Sequence, residues 1–165
     1  MATPTYTLID STTLASSASS VTFSSITQDY RDLVVVADVE ATTGSGEEIR
    51  IELLINGDTS SNYSYVRMGG NGSSASSSSG TLSWVLFNGY LADGERGLRT
   101  AQLMDYSATD KHTTLLIRDS STDVGRVEAT AVRWANTSAV TSLQIRTRSG
   151  NYAAGSTFYL YGIEA

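Results

Sequence analysis

The chain has 165 residues, of which 40% are hydrophobic and only 17% charged, with a net charge of −6. That length can bury the core of one domain, and the scattered arginines exclude the basic stripe of a non-specific nucleic-acid binder. Cysteine is absent, which removes disulfides, thiolate zinc sites and thiol nucleophiles together.

Residues 1–5 lack the basic start and apolar run of a signal peptide and read as a short N-terminal arm on a cytoplasmically made protein. Strand patterns follow over Thr5 to Asp10, Ser20 to Ile26 and Asp32 to Thr42, where β-branched and aromatic residues alternate with polar ones. The run Asp32 to Ala37 is nearly continuous in apolar residues, which predicts a central strand buried on both faces. Glu48 to Asn56 and Tyr63 to Met68 come next, with a turn signal at Asn56-Gly57-Asp58 because Asn-Gly accepts positive φ.

Residues 69–80 read Gly-Gly-Asn-Gly-Ser-Ser-Ala-Ser-Ser-Ser-Ser-Gly and cannot pack a core. They predict a long flexible surface loop, either mobile or ordered by a partner subunit. The strands on both sides look alike, so no domain boundary falls there. Thr81 to Tyr90, with a second turn signal at Asn88-Gly89, Leu98 to Tyr106 and Thr113 to Arg118 resume the strand pattern. Gly125 to Trp134, Ser142 to Thr147 and Thr157 to Ile163 complete it. Leu143 and Ile145 alternate cleanly with Gln144 and Arg146, whereas Ala129 and Ala131 blur the alternation before Trp134. No useful 3.6-residue repeat occurs, and no apolar run reaches the ~18 residues of a membrane span. Many short strands with Gly, Asn and Ser between them predict one all-β domain over residues 1–165, a sandwich or barrel.

Catalytic constellations are sparse. His112 is the single histidine and would have to serve any Ser-His-Asp triad, yet no Gly-x-Ser-x-Gly elbow presents a serine. At a strand start it reads as a surface residue. Glu47, Glu48 and Glu52 lie close in sequence, and Glu48 and Glu52 share a strand face, as many solvated residues do. Asn56 to Asn62 offers oxygen ligands of the kind calcium accepts, but a turn capped by Asn and Asp explains the same residues. No catalytic, cofactor or metal residue is therefore assigned. The tyrosine pairs Tyr63/Tyr65 and Tyr159/Tyr161 each share a strand face. They suit the edge of a β core, a protein interface or a sugar-stacking platform.

Several blocks carry a family resemblance. They are Val21 to Ile26 with Tyr30 to Val36, Ile55 to Asp58 with Asn62 to Tyr65, Gly70 to Ser76, and Gly150 to Tyr152 with Tyr159 to Ile163. Together they resemble a group of small virion proteins of tailed phages, many from marine and freshwater hosts. The resemblance implies a jelly-roll-like antiparallel β-sandwich of about eight to eleven strands. It also implies a structural role on the virion; the sparse catalytic chemistry points to a non-enzymatic one, and the scattered arginines and short apolar runs to no nucleic-acid or membrane partner. The lack of a stalk or repeat region favours a capsid decoration, or cement, protein that binds the major capsid protein on the outer shell as a homotrimer. A tail or fibre component binding a host-surface glycan is the alternative. Candidate capsid or subunit contacts are Thr3, Pro4 and Tyr6 in the arm, Tyr63 and Tyr65, and Gly72, Ser74 and Ser77 in the serine-rich segment.

Overall fold

A computed structural model describes residues 4–44, 48–121 and 126–164. Among these residues the protein is all-β, with thirteen strands. They are β1 (Tyr6–Thr13), β2 (Ser20–Phe23), β3 (Asp32–Thr42), β4 (Ile49–Ile55), β5 (Tyr63–Gly70), β6 (Ala75–Leu82) and β7 (Val85–Leu91). The others are β8 (Arg96–Met104), β9 (Thr113–Ser121), β10 (Arg126–Trp134), β11 (Leu143–Thr147), β12 (Asn151–Tyr152) and β13 (Thr157–Ile163).

Two antiparallel sheets pack face to face. The larger runs β1-β13-β3-β8-β9-β10-β5-β6, with β12 also paired to β3, and the smaller runs β2-β11-β4-β7. Eight strands form a jelly roll within this frame. The early strand β1 pairs with the last, β13; then β2 pairs with β11, β3 with β8 and β4 with β7. That nesting is a long hairpin rolled into a sandwich. Two further hairpins, β5–β6 and β9–β10, extend the large sheet beyond β8.

The inward side chains explain why the sheets close. Leu33, Val35, Ala37, Val39 and Ala41 of β3 are fully buried, opposite Ile49, Ile51, Leu53 and Ile55 of β4 in the same core. Phe23, Phe87, Phe158 and Trp134 fill the space between, and Tyr152 meets Phe158 edge-on at 5.1 Å. Burying an aromatic side chain of this size contributes about 2 kcal/mol or more.

Four sequence expectations change. First, β3 is covered on one face only: Val34 and Val36 on its outer side stay partly exposed. Second, the expected loop 69–80 contracts to residues 71–74, because β5 runs on to Gly70 and β6 starts at Ala75. Serine has little β propensity of its own, but full pairing with β5 overrides it. The Asn71 side chain closes this hairpin by accepting from the Ser73 and Ser74 amides at 3.2 and 2.9 Å. Third, Thr81 to Tyr90 is two strands, broken by a bend at Ser83-Trp84, where the chain leaves the large sheet for the small one. Fourth, Asn88-Gly89 lies within β7, beside an irregularity in its pairing with β4, and is no hairpin turn. Asn56-Gly57 is the expected turn, with φ of 52° and 68° and a bond from the Asp58 amide to the Ile55 carbonyl.

Candidate interaction face

The large sheet turns one face to the core and the other to solvent. Strand register arranges the outer side chains in rows. One row runs Leu8, Tyr161, Val34, Gln102, Leu116, Ala131, Val66. The next runs Tyr159, Val36, Thr100, Arg118, Ala129, Met68. Leu98 and Val127 lie two residues further along their strands. Among the described residues eight large hydrophobic side chains are exposed, and seven of them (Tyr6, Leu8, Val66, Met68, Leu98, Leu116 and Val127) sit on this face. Single exposed apolar residues need no explanation, but a contiguous set marks an interaction surface.

The patch has relief and charge. Ala131 is the floor of a depression of about 560 Å³ with Val66, Leu116, Met104, Thr114 and Arg133 around it. Its small side chain sits between two larger neighbours in the same row, so the sheet is low there. Tyr159 and Tyr161 stack at 6.2 Å between ring centres on the same face. Arg118 and Arg133 are exposed, and neither is in an ion pair with a described residue. The outer acids near the middle of the face are engaged. Asp38 is held by Arg96 at 2.8 Å, and Asp32 accepts from Gln102 at 3.0 Å and from the Asp105 amide at 2.9 Å.

Beneath β10 the pattern inverts. Glu128 and Thr130 point inward and are buried, while Val127, Ala129 and Ala131 point outward. Arg67 approaches the Glu128 carboxylate at 3.8 Å. Arg99, also buried, lies opposite Asp119 in the β8–β9 ladder. Burial draws the Arg99 guanidinium below its ordinary pKa, against the opposing pull of Asp119. Polar groups inside and apolar groups outside are the reverse of ordinary strand patterning.

The sequence-selected contacts do not converge on one site. Thr3 lies outside the described residues, as does Glu47 among the weighed carboxylates. Pro4 and Tyr6 are exposed beside and on β1, at one edge of the large sheet. Gly72, Ser74 and Ser77 are exposed at the opposite edge, across eight strands or about 30 Å. Gly72 has φ of +84° in the hairpin turn, a conformation that favours glycine.

Tyr63 is a correction: it is 1% exposed and cannot meet a partner. Its hydroxyl donates to the Asp58 carbonyl at 2.9 Å and accepts from the Ile55 amide at 3.2 Å. Burial pushes the phenol up to about 12. Tyr65 points to the same inner side, half-buried, with its ring 3.1 Å from where a Cβ on Gly80 would sit. The core reading of this pair is therefore the correct one. The outer residues Leu116, Ala131, Val66, Met68, Arg118 and Arg133 were not selected from sequence.

The Asn56–Asn62 loop is a capped turn. Asp58 Oδ2 accepts from Trp134 Nε1 at 2.8 Å and Asn62 Nδ2 at 2.9 Å, and Oδ1 accepts from the Ser60 amide at 2.8 Å. Desolvation raises the Asp58 pKa, but these hydrogen bonds outweigh it and hold the carboxyl below its usual value. Glu52, 3% exposed at its side chain, is gripped through Oε2 by Arg146 at 2.8 and 2.9 Å. Glu48 is exposed ahead of β4, and His112 is exposed ahead of β9.

No protein family and no curated protein matches the chain. Among solved structures, the chain is similar to a protein of unknown function, SO2946 from Shewanella oneidensis MR-1, at 8% identity and a TM-score of 0.26. That likeness covers 98% of this chain and 80% of the other.

Proposed function

We propose that the chain is a non-enzymatic structural protein of a tailed-phage virion, a decoration protein that docks on the outer capsid surface and stabilises the shell. The observation that carries this reading is the apolar outer face of the large sheet, seven exposed hydrophobic side chains on one rigid jelly-roll scaffold. The face spans roughly 30 Å by 20 Å, or about 600 Å², counted from strand spacing and rise. A stable interface takes about 800 Å² from each partner, so this face is close to sufficient alone. The sequence resemblance supplies the partner, the major capsid protein, and a homotrimer. Linked copies on a repeating lattice gain effective concentration, so modest single contacts become durable. Binding to the assembled shell alone stabilises it by mass action.

Co-sedimentation with shells of the parent phage lacking this protein tests the reading. Saturable binding that raises the temperature of shell disruption is the expected result. Absence of binding overturns it. The stacked Tyr159–Tyr161 pair favours a second reading, a tail component that binds a host glycan. Adsorption to host cells without capsid binding, lost in Tyr159→Ala, would select that reading.

A further inference from the structure

Resting on that reading, we infer that the outer face takes an acidic partner: a protein surface that seats a bulky apolar side chain in the Ala131 depression and brings carboxylates to Arg118 and Arg133. Arg133 lines the depression, and Arg118 stands beyond its Leu116 rim. Arg133 is two residues from Ala131 along β10, and Arg118 is two residues from Leu116 along β9, in the opposite direction from Ala131's row. Row and strand spacings set their Cα atoms roughly 14 Å apart.

Charge complementarity decides against the plainest alternative, a second copy packed face to face. An isologous contact would bury Arg118 and Arg133 of both copies in one apolar interface. Among the described residues the acids on this face lie on β3: Asp32 and Asp38 are already held by Gln102 and Arg96, and Glu40 sits at the far end of the strand, opposite the same Arg96. A desolvated guanidinium without a partner is strongly unfavourable. The chain as a whole carries a net −6, so a locally cationic apolar patch is a departure from the rest of the surface. A bulky anchor seated in a pocket and shielded from water by the contacts around it is the usual form of an interface hot spot.

The test uses the whole chain and two probes. In NMR titration the blocked peptide acetyl-Asp-Trp-Asp-amide should shift the amides of Val66, Leu116 and Ala131. Its Asn-Trp-Asn counterpart should do so much less. Shifts elsewhere, or none at the solubility limit, overturn the inference. On undecorated shells, Arg118→Glu with Arg133→Glu, and separately Ala131→Trp, should each weaken binding by about tenfold or more. Added salt should weaken the wild type more than an Arg118→Gln/Arg133→Gln variant. All substituted positions are exposed, and an unchanged thermal midpoint verifies folding. Unaltered shell binding in these variants overturns the inference while leaving the capsid reading intact. Peptide shifts at Ala131 without any shell binding do the opposite.

Discussion

Gly162 on β13 lies directly under the ring of Tyr30, and this contact gives a sharp test of the packing. A Cβ built at Gly162 would sit 2.2 Å from Tyr30 Cγ and 2.4 to 2.5 Å from both Cδ atoms. Cγ is next to the backbone, so the ring cannot clear the methyl by a small rotation. Gly162→Ala should therefore cost about 1–3 kcal/mol, the range for overpacking. For a domain of this size that lowers Tm by about 2–10 °C. Tyr30→Ala alone removes a half-buried ring packed on the core and should cost about 1–2 kcal/mol. The decisive quantity is the coupling. In the double variant the new methyl enters space the ring has vacated, so the two costs should fall short of their sum by about 1 kcal/mol or more. Urea melts of the four proteins measure this directly. Additivity within about 0.5 kcal/mol would refute the assigned contact.

Other variants probe the turn, the buried ion pair and the face. Tyr63→Phe should cost about 1–2 kcal/mol in urea melts, by stripping the Ile55 and Asp58 bonds, yet leave shell binding unchanged. Asp58, its folded pKa held down by Asn62, Trp134 and Ser60 against desolvation, stabilises the protein above its unfolded pKa. That contribution is lost as pH falls through the folded value, so the wild type should lose more stability than Asp58→Asn between about pH 5 and pH 2. Arg146→Ala strands the buried Glu52 carboxylate and should cost about 3 kcal/mol in the same melts at neutral pH. Met68→Asp with Val66→Asp should alter Tm little, because both side chains are exposed, while abolishing shell binding measured by co-sedimentation.

Most strands are legible from period-two alternation, and the Asn56-Gly57 turn from its chemistry. The β6 strand is not, because Ser76 to Ser79 have no strand preference and are ordered by the ladder to β5. The two tyrosine pairs show a second limit. Tyr63/Tyr65 and Tyr159/Tyr161 have identical spacing, yet the first pair faces the core and the second faces solvent. Parity tells which residues share a face; only packing of the two sheets tells which face is inside. The apolar outer face was hidden for the same reason. Leu116, Ala131 and Val66 come from three separate strands and become neighbours only through the β9–β10–β5 pairing. The blurred alternation at Ala129 and Ala131 was the local trace of it.

Copy number per purified virion, by quantitative mass spectrometry against the major capsid protein, separates the proposed capsid role from a tail role. For a decoration protein, a fixed, high stoichiometry to the shell lattice is expected, falling with Met68→Asp and Val66→Asp introduced into the phage. A handful of copies confined to the tail, or a lattice stoichiometry indifferent to those substitutions, would contradict it.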